Sequence, residues 1–149
     1  MINPSYQIRT MSRQEVQLAV DWAAAEGWNP GLHDAALFYA ADPQGFLAGF
    51  LGDRLIATIS AVRYRQDFGF IGFYIVTPEF RGHGYGWQLW QTAMQGLAGR
   101  NVGLDGVVAQ QDNYKKSGFL LGYNNVRYQA QVPARTAHSA NIADLSALP

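Results

Sequence analysis

The spacing of apolar side chains changes along the chain, and each change marks an element. Tyr6-Gln7-Ile8-Arg9-Thr10 alternates, which predicts a short strand. Ser12 and Glu15 form the Ser-x-x-Glu pattern of a capping box. Behind it Val16, Ala19, Val20 and Ala23 recur at helical spacing, predicting a helix to about Ala25. Glu26-Gly27-Trp28 breaks that period. Asn29-Pro30 fits an N-cap and a first-turn proline, so a second helix is predicted over Leu32 to Ala41, stopped by Asp42-Pro43.

From Phe46 the period shortens. Phe46 to Leu51 and Leu55 to Tyr64 read as strands joined by the hairpin signal Gly52-Asp53. In the second strand Ile56, Thr58, Ser60 and Val62 fall on one face and Leu55, Ala57, Ile59 and Ala61 on the other. After a turn at Gln66-Asp67, Phe68 to Val76 is almost continuously apolar, as a central strand buried on both faces would be. Leu89, Trp90, Ala93, Met94 and Leu97 make a helical stripe, Val102 to Ala109 reads as a buried strand, and Asp112 to Ser117 as a short helix capped by Gly118. Phe119 to Tyr123 and Val126 to Val132 read as two final strands. The order β-α-α-β-β-β-α-β-α-β-β joins an antiparallel middle to a β-α-β unit. It predicts a mixed sheet with helices on its faces, an α/β or α+β sandwich. Residues 133–149 are rich in Ala and Ser with little periodicity, and read as a linker or docked tail behind a domain over residues 1–132.

Length and composition narrow the function classes. The 149 residues suit one compact domain, and 48% of them are hydrophobic, enough for a sizeable core. With 11 basic and 11 acidic residues the net charge is zero, so no strong field gathers nucleic acid or anionic lipid, and any anion site must be local. The absence of cysteine excludes a disulfide framework, a thiolate zinc site and a cysteine nucleophile. No metal site is expected. Met1 to Ser5 lacks the basic start and apolar run of a signal peptide, and no apolar stretch reaches the ~20 residues of a membrane span. A cytoplasmic location is expected.

The chemistry concentrates in Val76-Thr77-Pro78-Glu79-Phe80-Arg81-Gly82-His83-Gly84-Tyr85-Gly86, between a buried strand and an amphipathic helix. Glycines remove the Cβ atoms that would keep a ligand off the backbone. The first turn of the helix offers unpaired N–H groups and the positive end of its dipole. Together they suit a phosphate or diphosphate, to which Arg81 can add a charge-assisted contact. A glycine-rich turn that only connects strand to helix is the other reading. Trp87 stands where the Rossmann fingerprint needs its third glycine, and no lysine supplies a Walker A motif.

The segment resembles the cofactor signature of the GNAT superfamily of N-acetyltransferases, Arg/Gln-x-x-Gly-x-Gly/Ala, matched by Arg81, Gly84 and Gly86. Val76-x-Pro78-Glu79-Phe80 and the later Tyr114-Lys115-Lys116-Ser117-Gly118-Phe119 extend the likeness, as does the element order. The resemblance implies a mixed, mostly antiparallel central sheet of about seven strands flanked by about four helices. It implies acetyl-CoA as cosubstrate, lying where two parallel strands splay apart, here Phe68–Val76 and Val102–Ala109. The backbone of Tyr74, Ile75 and Val76 would pair with the pantetheine arm, and one of those N–H groups would polarise the thioester carbonyl. Arg81, Gly82, His83, Gly84, Tyr85 and Gly86 would hold the diphosphate, with Asn113 and Lys116 as further contacts. Tyr114 matches the usual general acid, which protonates the departing thiolate; packing of the short helix is the alternative role.

Direct transfer needs no protein nucleophile, but it does need a route for the amine proton. Asp105, Glu26, Asp34 and His33 are the candidate bases. Asp105 lies in an apolar run that would bury and perturb it. The position seven residues before Tyr114, where many members carry Asn, is Val107; Gln110, Gln111 or Asn113 could substitute. By the same resemblance the acceptor would approach the loop over Glu26 to His33. Trp28 could wall its pocket or plug the core, and Arg63 and Arg65 could bind an acceptor carboxylate. Asn124-Asn125-Val126-Arg127-Tyr128 and Asp144-Leu145-Ser146 resemble members in which this domain precedes a second, smaller one. The expected function is transfer of acetyl from acetyl-CoA to a primary amine of a small molecule, with no nucleic-acid or membrane partner and with homodimerisation compatible. The alternative is a non-catalytic acyl-CoA-binding sensor or regulatory module.

Overall fold

The computed structural model describes residues 6–126 and 128–131. Its elements are β1 (Tyr6–Thr10), α1 (Arg13–Ala25), α2 (Asp34–Ala41), β2 (Phe46–Leu51), β3 (Arg54–Tyr64), β4 (Phe68–Val76), α3 (Tyr85–Gly96), β5 (Asn101–Leu104) and α4 (Gln111–Lys116). Single 3-10 turns occupy Pro78–Phe80 and Val108–Gln110. The described residues divide into two compact units, one ending at Val108 and one starting at Ala109.

In the first unit the capping box forms as the sequence predicts. Glu15 N–H donates to Ser12 Oγ at 3.4 Å and Ser12 N–H to Glu15 Oε2 at 2.7 Å. Arg9 of β1 pairs with the same carboxylate at 2.6 Å, tying the strand to the helix start. The Arg9 hydrogen bond, helped by those from Ser12, outweighs desolvation and holds the Glu15 carboxyl at about 2, against an ordinary 4.5. Asp42 is also held low: burial would raise it, but the bonds from Arg63 prevail. A carboxyl depressed in the folded state stabilises above its unfolded pKa and loses that contribution as pH falls through the folded value. The melting temperature is therefore expected to drop as pH falls from 4.5 towards about 2, with a shallower drop in Glu15→Gln. Thermal unfolding followed by circular dichroism checks this, and a flat profile over that window would contradict it.

The sheet runs β1-β2-β3-β4-β5, antiparallel except for the parallel β4–β5 pair. On one face Val16 and Ala19 of α1 pack with Met11, Phe46, Ala48 and Val62, and α2 adds Phe38 and Tyr39. Side chains alternate across a strand, so Leu47, Ala61 and Arg63 point the other way, where with Thr92, Ala93 and Gly96 of α3 they line a common hollow. Leu89, Trp90, Ala93 and Leu97 are the buried stripe of that helical layer. Gly69 admits it, because a Cβ there would stand 2.7 Å from Leu97 Cδ2.

The strand count differs from expectation: five strands are described, not about seven, with four α-helices. Phe119 to Tyr123 is irregular, and so are the described residues of the predicted strand Val126 to Val132. Leu120, Leu121, Tyr123, Val126 and Tyr128 are exposed. Alternation makes a strand only where a ladder partner takes up the backbone groups. β5 covers Asn101–Leu104 and does not reach Ala109, because Asp105-Gly106 ends the apolar run. The second helix starts at Asp34, not Leu32. Its carboxylate accepts the Gly31 N–H at 2.8 Å, and Asn29 turns left-handed (φ 51°), so Asn29-Pro30 belongs to the loop. Residues 133–149, where a linker or tail is expected, lie outside the described residues. Among the described residues no helix is long and apolar enough to cross a membrane.

Candidate functional site

The site is prepared by an irregularity in β4. Thr58 of β3 faces Ile75 and Ser60 faces Gly72, so Phe73 and Tyr74 together oppose Ile59. This is a β-bulge, and Phe73 takes the left-handed conformation it requires (φ 46°). The fully buried Thr58 holds it by donating its hydroxyl to the Phe73 carbonyl at 2.8 Å. On the opposite edge the ladder with β5 ends at Ile71↔Leu104. From Gly72 to Val76 β4 runs on past the end of that ladder, which is where an extended ligand arm can lie against a strand.

Beyond β4 the chain is clamped before it loosens. Thr77 N–H donates to Ile56 O at 2.9 Å, and the turn Pro78–Phe80 closes with Phe80 N–H to Thr77 O at 2.9 Å. Arg54 packs over the Phe80 ring and pairs with Glu79. Gly82 and Gly84 then both adopt positive φ, 80° and 84°, where a side chain would be strained. Gly84 is the N-cap of α3. Gly86 lets the helix start lie on β4: a Cβ there would stand 2.7 Å from Tyr74 Oη and 2.9 Å from Val76 Cγ2. The first-turn N–H groups have no acceptor inside the helix and lie at its positive end.

Two side chains anchor this loop. Tyr85 is buried with its ring 4.7 Å from that of Tyr6, and the Tyr6 hydroxyl donates to the Tyr85 carbonyl at 3.1 Å. Burial, with the nearby Tyr74 and Tyr85 phenols, pushes Tyr6 up to about 12, so it remains a donor throughout the neutral range. Arg81 donates through Nε to the Val76 carbonyl at 2.8 Å and through Nη2 to Glu26 Oε1 at 2.5 Å. These bonds use two of its five N–H groups and leave the rest of the fork for an anion. His83 Nδ1 donates to the Arg81 carbonyl at 2.9 Å.

Tyr74, Ile75, Val76 and the run Arg81 to Gly86 are thus brought together. The other expected residues of the first unit are elsewhere in it. Trp28 is half-buried after α1 with its N–H on Ala23 O, and His33 is exposed at the start of α2. Arg63 is held by Asp42 through Nε and Nη2, both at 2.8 Å, so its guanidinium is committed. Asp105, expected to be buried, is exposed just past β5. Asn113, Tyr114 and Lys116 lie on α4 of the second unit. There Asn113 Nδ2 donates to Gln110 Oε1 at 2.7 Å, and burial raises the Tyr114 phenol. Sequence reasoning missed Tyr6, Thr58, Phe73 and the Arg81–Glu26 pair. The visible marks were Thr58 inside an apolar strand and Gly72 inside β4, since an isolated strand glycine signals a bulge. Among the described residues, no group of three or more His, Asp or Glu side chains could hold a metal ion.

The sequence model of the Acetyltransferase (GNAT) family matches residues 6–119. Holothin acyltransferase from Pseudoalteromonas sp. (strain SANK 73390) is 41% identical over 116 residues, covering 78% of this chain and 40% of that protein. The chain therefore spans less than half the length of this curated relative. Among solved structures, Ard1 from Thermoplasma volcanium is 18% identical with a TM-score of 0.67, over 80% of this chain and 85% of that one. Rv2747 from Mycobacterium tuberculosis, in complex with CoA, is 16% identical with a TM-score of 0.60, over 75% of this chain and 70% of that one. At these identities the two structures share a fold.

Proposed function

Because the chain belongs to the acetyltransferase (GNAT) family, we propose that it moves an acetyl group from acetyl-CoA directly to a primary amine of a small molecule. The observation that supports this most is the alignment of two features in one unit: the glycine loop opening α3 and the stretch of β4 beyond Ile71, where its ladder with β5 has ended. A donor with a diphosphate and an amide-bearing arm needs both. The N–H groups of the loop and helix start, with the remaining donors of Arg81, take the diphosphate. The amides of the arm add to Tyr74, Ile75 and Val76 as a strand would. An N–H beside the bulge at Phe73 faces the thioester carbonyl and stabilises the oxyanion. Asn113 and Lys116 are further donor contacts.

In the chemical step the lone pair of the neutral amine attacks the acyl carbon, and the tetrahedral intermediate collapses with loss of the C–S bond. The Tyr114 phenol gives its proton to the departing thiolate. Its raised pKa keeps it protonated at neutral pH, which suits an acid. The proton of the acylated nitrogen leaves through water, since Glu26 is engaged by Arg81. The longer relative supports the further reading that this is the acyltransferase domain of a two-domain protein. The neutral composition without cysteine supports action in the cytoplasm, without nucleic acid or membrane.

A thermal-shift comparison of CoA, acetyl-CoA, NAD and ATP tests the donor. Acetyl-CoA at about 100 times its Kd is expected to stabilise by about 2.7 kcal/mol. A shift with NAD or ATP alone would overturn the reading. Binding of acetyl-CoA without CoA release in the presence of any amine would favour the acyl-CoA sensor.

A further inference from the structure

Acetyl-CoA, the proposed donor, continues in two directions from its diphosphate. One way the pantetheine arm runs along β4. The other way leads through a ribose to adenine. The direction open to the adenosine follows from the start of α3. Gly86 lies against β4, where a Cβ would meet Tyr74 and Val76, and Tyr85 and Leu89 are buried under the helix. At 3.6 residues per turn, Trp87 stands about 100° on from Gly86 and about 200° from both Tyr85 and Leu89. It therefore faces away from the sheet. A helical side chain also leans towards the N-terminus and covers the turn before its own Cα, which for Trp87 is the glycine loop.

This indole differs from its surroundings. Gln91 and Gln95, one and two turns further along the same face, are exposed amides, whereas Trp87 leaves 55% of a large ring in water. The other tryptophan of α3, Trp90, is 4% exposed and packs on Tyr74 at 5.4 Å. Among the described residues, no ring stacks on Trp87 and no acceptor takes its indole N–H. The loop beneath it has room for a planar group. A Cβ at Gly82 would meet nothing within 4 Å, and the His83 ring is turned to Tyr85, 6.2 Å away. A purine has two π-faces, and an aromatic side chain is the platform on which bases stack. We propose that Trp87 stacks on the adenine of the donor, so that the first turn of α3 holds a nucleotide base as well as a diphosphate. The role is one of binding and lies outside the chemical step. It rests on the reading of the donor as acetyl-CoA.

The test measures Kd by titration calorimetry on the full chain with three probes. Acetyl-CoA carries the arm, the diphosphate and the base. S-acetyl-4′-phosphopantetheine carries the arm and a phosphate without the base. Adenosine 3′-phosphate 5′-diphosphate carries the base and the diphosphate without the arm. Trp87→Gln repeats the residue already found at Gln91 and Gln95 and suits a helix, so the fold is kept. It is expected to raise Kd by about 10-fold or more for the two probes with adenine and to leave the third unchanged. Trp87→Phe keeps a stacking face and is expected to hold acetyl-CoA more tightly than Trp87→Gln does. It should lose the quenching of indole fluorescence that acetyl-CoA causes in the wild type, although Trp22, Trp28 and Trp90 still emit. With donor saturating, kcat is expected to be unchanged in both variants. Equal losses for all three probes would mean that the substitution disturbs the helix start, and the proposal falls. Unchanged affinities overturn it too, as they do when accompanied by an altered mass in gel filtration, which would assign Trp87 to a contact between chains. If the wild type binds neither acetyl-CoA nor the base-free probe, the donor reading itself has failed, an outcome distinct from every other.

Discussion

Tyr114→Phe is expected to lower kcat by roughly 100-fold while acetyl-CoA still binds, because general acid catalysis contributes about that much or more. Removing one oxygen leaves the packing of the half-buried ring on α4 in place, so folding is preserved. What is lost is the proton for the sulfur. Two further measurements separate this role from a structural one. Besides the acid limb set by protonation of the amine, the wild-type rate should show an alkaline limb above the phenol's ordinary 10, because burial raises the group and its protonated form is the active one. That limb should vanish in the variant. A thioester whose thiol is far more acidic needs no protonation to leave, so the two proteins should cleave it at similar rates. An unchanged kcat with acetyl-CoA would remove Tyr114 from the acid role.

Gly86→Val should act on binding instead. A Cβ at this position meets Tyr74 Oη at 2.7 Å and Val76 Cγ2 at 2.9 Å, and the Tyr74 ring cannot swing freely, since it packs on Trp90 at 5.4 Å. The strain can be relieved only by lifting the start of α3 off β4, which moves the N–H groups away from the diphosphate. Displacement of about 1 Å can cost 100-fold, so a rise of roughly that size is expected in KM for acetyl-CoA. Overpacking should also cost about 1–3 kcal/mol of stability. Gly96→Val is the control: it lies on the same helix, and a Cβ there meets nothing within 4 Å. Equal effects of the two substitutions would show that helix backbone preference, rather than the contact with β4, explains the loss.

The parts legible in the sequence are those set by local pattern. The capping box at Ser12, the stripe on α3 and the apolar run of β4 each carry their own period, and each appears where expected. The glycine loop was legible for the same reason, since steric need is written residue by residue. What escaped depends on partners distant in the chain. The bulge exists because β3 and β4 fall out of step between Thr58 and Ser60, a matter of two strands at once. Arg81 reads as a lone cation until Glu26, 55 positions earlier, is folded against it. Asp105 reads as buried because its neighbours are apolar, yet β5 ends one residue before it and releases it to solvent. The strands expected after Phe119 had alternation but no ladder in the described chain, and alternation alone decides nothing about pairing.

The stretch of β4 beyond its ladder with β5 also bears on the protein when its substrate is scarce. A strand edge with backbone groups on offer is a template for any other extended chain, and sheet proteins normally blunt such edges with charges, prolines or a covering element. From Gly72 to Val76 this strand carries neither charge nor proline; its first proline comes only at Pro78. A donor lying along it would act as a removable hem on the sheet. Substrate supply would then govern colloidal behaviour as well as turnover, with the empty enzyme the form prone to self-association.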